Sequence, residues 1–90
     1  MTEKRYRIDF TNEASKQLQK LDKTIHSRIL RALVELETTP RPDGVKKLKG
    51  YDNRWRIRIG DWRVSYLIED GRLVVLVVAV GHRSKAYKAK

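Results

Sequence analysis

The sequence has no cysteine, which excludes disulfides and thiolate chemistry. Histidine is scarce: only His26 and His82 occur, and neither sits among other candidate ligands, so neither a metal site nor a cofactor is expected. Long hydrophobic runs are missing too. The longest, Leu73 to Val80, falls far short of the roughly 20 apolar residues of a membrane-spanning helix. The start, Met1-Thr2-Glu3-Lys4-Arg5, lacks the apolar stretch of a signal peptide, so a cytoplasmic protein with no membrane association is expected. Conventional catalytic sets are also absent: the sequence shows no paired-carboxylate site, nucleophile elbow, Walker loop or zinc-ligand spacing. Any catalysis must therefore rest on electrostatics and positioning.

What the chain does have is positive charge. Against 11 acidic residues stand 21 lysines and arginines, a net charge of +10 over 90 residues. Such an excess selects anionic partners: nucleic acid, an acidic protein or an anionic surface. A hydrophobic content of 40% suffices for a modest core, and the length fits one domain spanning residues 1–90.

Tyr6, Ile8 and Phe10 alternate with Arg5, Arg7 and Asp9, which predicts a half-buried strand. Thr11 and Asp22 are candidate N-caps. Ala14, Leu18 and Leu21 give a first helix to about Leu21. Ile25, Ile29, Leu33 and Leu36, widened by Leu30 and Val34, give a second that runs to about Glu37 and stops before Pro40. Lys16, Lys20, Lys23, Arg28 and Arg31 read as an ordinary solvated face. Thr38 to Gly44 is a loop, and Val45 to Gly50 is short, basic and ambiguous. A hairpin follows, turning at Gly60-Asp61, with a second two-residue turn at Asp70-Gly71. Leu73 to Val80 reads as a central strand buried on both faces and ended by Gly81. The expected fold is α+β: two helices on one face of a mostly antiparallel four-stranded sheet.

The stretch Arg54-Trp55-Arg56-Ile57-Arg58-Ile59 organises this reading. Side chains two apart on a strand share a face, so Arg54, Arg56 and Arg58 point one way and Trp55, Ile57 and Ile59 the other. Arg63 on the second arm extends the arginine side. One reading is the solvated side of an amphipathic sheet. The other is a platform for a polyanion, favoured by charges of one sign and by the planar guanidinium fork that suits phosphate. Arg54, Lys47, Lys49 and Lys85 are RNA-binding candidates around it. Tyr87 serves either as a base-stacking surface or as packing for the basic tail. His82 serves either as a general acid–base group or as a hydrogen-bonded strand end.

Lys47-Leu48-Lys49-Gly50, Trp55-Arg56-Ile57-Arg58, Trp62-Arg63-Val64-Ser65-Tyr66 and Val80-Gly81-His82-Arg83 through Tyr87 resemble, in order and spacing, the RelE-type toxins of the RelE/ParE toxin–antitoxin superfamily. The resemblance covers nearly the whole chain. It implies a RelE-like fold and a ribosome-dependent, metal-independent mRNA endonuclease that cleaves the codon in the decoding site. Arg56 and Arg58 would correspond to basic residues that act on the 2′-hydroxyl or stabilise the transition state. Arg63 would bind the scissile phosphate, Arg83 would act as general acid or charge stabiliser, and Tyr87 would stack on a codon base. The best-known member has lysines in place of Arg56 and Arg58 and another in place of His82, and its tail between Arg83 and Tyr87 is longer. Some relatives carry a histidine near this point, which makes His82 a secondary candidate for proton transfer. The implied partners are the ribosome with its mRNA and a cognate antitoxin with an acidic segment. Operator DNA would be bound only through the antitoxin complex. Two alternatives stay open: a ParE-like DNA gyrase poison and a non-catalytic nucleic-acid-binding module.

Overall fold

The computed structural model describes residues 5–48, 50 and 53–82. A first strand, β1 (Arg7–Phe10), leads into helices α1 (Asn12–Gln19) and α2 (Lys23–Glu35). Four strands follow: β2 (Lys46–Lys47), β3 (Arg54–Ile59), β4 (Trp62–Glu69) and β5 (Val74–His82). They form one sheet in the order β1-β5-β4-β3-β2, with β1 parallel to β5 and every other pair antiparallel. The sheet thus has five strands where the sequence suggests four. The added strand, β2, is two residues of basic sequence with no alternation to betray it. It pairs Lys46 with Arg56 and Lys47 with Trp55.

Both expected N-caps form. Thr11 Oγ1 accepts from the Ala14 amide at 3.1 Å and Asp22 Oδ1 from the Ile25 amide at 3.0 Å. Both helices stop about two residues early. The amides of Lys20 and Leu21 donate to Gln17 and Leu18, and those of Leu36 and Glu37 to Leu33 and Val34. These i→i−3 bonds tighten each last turn and end the α geometry. The core lies between the helices and one sheet face. It joins Ala14, Leu18, Ile29, Leu33 and Leu36 to Val64, Tyr66, Ile68, Val75, Val77 and Val80. Leu30 and Val34 do not widen this seam: they are 37% and 57% exposed. The sheet-facing stripe is Ile29, Leu33 and Leu36, and a residue one step further along is rotated about 100° away from it.

Two strand connections differ in kind. Gly60-Asp61 is the expected two-residue turn, and Gly60 at φ +61° supplies its left-handed position. Asp70-Gly71 is not such a turn. Glu69 pairs with Val74, so four residues connect the strands. The positive φ falls on Leu73 (+55°), not on Gly71. The amides of Arg72 and Leu73 donate to Glu69 and Asp70, which winds the connection into a helical turn. The Asp70 carboxylate meanwhile accepts from the Tyr6 hydroxyl at 2.7 Å and pairs with Arg41 at 3.0 Å.

Strand β5 has a neighbour on each side, yet beyond Val74 only its helix face is fully buried. Leu76, Val78 and Ala79 are half-buried, and the strand continues through Gly81 to His82. Glycine ends a strand only where its backbone must leave the extended region, and here Gly81 stays in register opposite Arg63. A bulge interrupts the ladder: Ser65 pairs with Ala79 but Tyr66 with Val77, which leaves Val78 as the extra residue. The bulge switches which residues face the helices, from Val75 and Val77 to Val80 and His82. Helix α1 braces it. Gln17 Oε1 accepts from the Val80 amide at 2.7 Å, and Thr11 sends its amide to the Val77 carbonyl at 3.0 Å.

Candidate nucleic-acid interface

The face of the sheet turned away from the helices carries the charge. Register places its residues in rows across the strands. Lys46, Arg56, Ser65 and Ala79 make one row. Arg58, Arg63 and Gly81 make the next, toward the hairpin tip. Arg54, Leu67 and Leu76 lie on the other side. Directly opposed residues stand roughly 5 Å apart, and strand neighbours of the same face roughly 7 Å. Lys46, Arg56, Arg58 and Arg63 therefore ring a patch the size of a phosphate or two. Its floor is low, because Ser65, Ala79 and Gly81 are small.

Opposing Arg58 with Arg63 is unfavourable in isolation, since like charges directly across a ladder destabilise it. Arg58 is exposed and its Nε donates to the Gly60 carbonyl at 3.4 Å. Arg54, Arg56 and Arg63 are half-buried, so their stems lie on the sheet. The carboxylates of this face sit at its far end with cations of their own: Asp9 with Arg7 at 3.1 Å, Glu69 with Arg72 at 2.8 Å.

The structure brings together Arg54, Arg56, Arg58 and Arg63, as the alternation predicts. It adds Lys46, which sequence reasoning passed over. In its place that reasoning chose Lys47, which lies on the other face with its Nζ 5.8 Å from the Trp55 ring centroid. A two-residue strand has no periodicity from which this assignment could be read. His82 is also set apart. It pairs with Trp62, and their rings meet edge to face at 5.2 Å, on the helix side of the sheet. The Val78 bulge is the reason: it turns Gly81, not His82, toward Arg63. Lys49, Arg83, Lys85 and Tyr87 lie outside the described residues. Among the described residues no group of three or more histidines and carboxylates is placed to hold a metal ion, and no helix is long and apolar enough to cross a membrane.

The loop that delivers β2 to this face is pinned from beneath. The Tyr66 hydroxyl donates to the Pro40 carbonyl at 2.8 Å, and burial pushes its pKa up to about 12. Arg41, besides its bridge to Asp70, stands 5.1 Å from the Trp55 ring centroid. A groove of about 680 Å³ runs along the part of β3 beyond β2, lined by Ala32, Leu36, Thr39, Ile57 and Ile59, and reaches the charged face only through Arg58.

The model of the family described as "ParE toxin of type II toxin-antitoxin system, parDE" matches residues 8–87. The chain is 31% identical over 83 residues to the mRNA interferase toxin RelE of Escherichia coli (strain K12), covering 90% of this chain and 86% of that one. In three dimensions it is similar to the toxin of the intact E. coli RelBE toxin–antitoxin complex. The TM-score is 0.77 at 32% identity, covering 86% of this chain and 95% of that one. It matches the archaeal RelE–RelB complex of Pyrococcus horikoshii OT3 equally well, with a TM-score of 0.77 at 30% identity, over 89% of this chain and 97% of that one. The five-strand sheet under two helices, the single-sign face and these likenesses agree: the chain belongs to the RelE/ParE superfamily, as a RelE-type toxin of a type II toxin–antitoxin system.

Proposed function

We propose that this toxin is an endoribonuclease that enters the decoding site of the ribosome in the cytoplasm and cuts the mRNA codon there. The observation that carries the reading is the ring of Lys46, Arg56, Arg58 and Arg63 around a floor of Ser65 and Gly81. In the reaction the substrate's own 2′-oxygen attacks the adjacent phosphorus and the 5′-oxygen leaves. The products are a 2′,3′-cyclic phosphate and a free 5′-hydroxyl. One proton departs from the 2′-hydroxyl and one arrives at the 5′-oxygen. Guanidiniums remain protonated at any working pH, so Arg56 and Arg58 stabilise the dianionic transition state and do not accept the proton. Arg63 holds the scissile phosphate, Arg83 stabilises the developing charge, and Tyr87 stacks on a base of the codon. His82, held against Trp62 on the other face, has no part in this scheme. The ribosome supplies the positioned mRNA that a site working by fixed charge needs. Similar toxins form complexes with RelB antitoxins, and by charge complementarity a cognate antitoxin silences this one through an acidic segment laid on the cationic face. Operator DNA is reached only through that antitoxin.

The test uses ribosomes stalled with a defined codon in the decoding site, with mRNA ends mapped by primer extension. A cut inside that codon, seen only on ribosomes and slowed about 10²-fold or more in folded Arg63→Ala, is expected. Cleavage at the wild-type rate in both Arg63→Ala and Arg83→Ala would remove the site assignment. The match to a family described as ParE toxin keeps a second reading, a ParE-like gyrase poison, and a supercoiling assay separates it. Loss of supercoiling with intact mRNA supports that reading. Salt-sensitive RNA binding with neither effect supports a non-catalytic binding module.

A further inference from the structure

The hairpin tip gathers cations from three elements. Arg58 leaves β3 and its Nε donates to the Gly60 carbonyl at 3.4 Å. Arg63 stands directly across from Arg58 on β4. From the helix layer Arg28 of α2 reaches the same turn: a Cβ placed on Gly60 would lie 3.5 Å from its Nη2 and 3.9 Å from its Nη1. Gly60 is therefore bracketed by two guanidiniums, one from each layer of the fold. The turn's other residue, Asp61, adds one carboxylate to these three cations. Read along the sequence, Arg28 belongs to a solvated helix face. The fold instead places it where the arginine face bends over the tip.

We propose that Arg28 continues the RNA-binding surface around the hairpin tip, so that a phosphate beyond the scissile one is held between Arg28 and Arg58. The inference rests on the reading that the arginine face holds RNA. Gly60 fits this role because its φ of +61° makes the tight turn that brings the tip within ordinary contact of the Arg28 guanidinium. A phosphate is the occupant because guanidinium forks match phosphate oxygens, and the residues that would meet it, Arg28, Arg58, Gly60 and Asp61, are exposed and carry no apolar side chain.

The experiment measures binding of a single-stranded 2′-O-methyl RNA oligonucleotide across a salt series. That probe has no 2′-hydroxyl to attack, so the result does not depend on whether the toxin cleaves. Wild type, Arg28→Gln, Arg28→Lys and Lys16→Gln are compared, Lys16 being an exposed residue of α1. Loss of one phosphate contact lowers the slope of log affinity against log salt by about 0.7. Arg28→Gln is expected to show that drop on oligonucleotides of any sequence. Arg28→Lys restores the slope, and Lys16→Gln keeps it. A purely structural role would move the melting temperature and leave the slope alone. An unchanged slope in Arg28→Gln overturns the proposal, as does an unchanged slope with weakened binding of an acidic polypeptide. If Arg28→Gln lowers the slope while the ribosome assay shows no cleavage, the contact stands and the endonuclease reading falls.

Discussion

Replacing Gln17 by leucine removes the acceptor that braces the β5 bulge. Gln17 Oε1 takes the Val80 amide at 2.7 Å, and Val80 is only 4% exposed, so water cannot reach in to replace it. A buried amide left without an acceptor costs about 1–3 kcal/mol. Leucine would return part of this by burying apolar surface at the half-buried position, so the net loss should be about 1–2 kcal/mol. In a domain of this length that is a fall in melting temperature of roughly 5–15 °C. Thermal unfolding followed by circular dichroism gives the global number, and amide hydrogen exchange at Val80 gives the local one. Both should drop in Gln17→Leu. Gln17→Glu keeps an acceptor, charged and therefore stronger, and should retain both. If Gln17→Leu melts with wild type and the Val80 amide exchanges no faster, the bulge is held by something other than this bond and the reasoning fails.

Tyr66→Phe probes the buried hydroxyl. Burial raises the Tyr66 pKa to about 12, against about 10 for a free tyrosine. The fold favours the neutral form, so its contribution is complete below pH 10 and is lost as the pH rises through about 12. The full difference amounts to about 2–3 kcal/mol. Urea titrations between pH 8 and 12 should show wild type losing stability steeply and Tyr66→Phe less so. The variant should start about 1 kcal/mol lower at neutral pH, because the Pro40 carbonyl has lost its donor. Gly60→Val forces a β-branched residue into a left-handed turn at φ +61°, at a cost of about 1–2 kcal/mol. Its denaturant midpoint should fall accordingly, and a midpoint equal to wild type would show that the turn had rearranged.

Much of this arrangement was legible because period-two alternation is unambiguous where polar and apolar residues strictly take turns. Arg54 to Ile59 is such a stretch, and its two faces are those the structure shows. The caps were legible for a similar reason, since Thr11 and Asp22 each precede a helical stripe. Failure came where local sequence leaves several outcomes equal. Leu73 to Val80 is apolar at nearly every position, so nothing in it marks Val78 as the extra residue. That depends on Gln17 and Thr11, more than sixty positions away. Lys46 and Lys47 differ only in which face of the sheet they take, which the register of β2 against β3 decides. Arg28 looks like any solvated arginine until tertiary packing brings Gly60 beneath it.

The bulge also determines what the cationic face can do with protons. Without the extra residue, His82 would share the side of Arg63, and an imidazole would face the phosphate. With it, Gly81 takes that place and His82 packs its ring on Trp62. Among the described residues the floor is then ringed by lysines and arginines, which supply fixed charge. His82→Gln tests this directly. The substitution disturbs the contact with Trp62, so the level of activity can fall together with stability. The shape of the cleavage rate against pH between 5 and 8 should stay as in wild type, measured under single-turnover conditions on stalled ribosomes. A limb lost from that profile in His82→Gln, with the fold intact, would place the imidazole in the reaction and refute the assignment of faces drawn from the bulge.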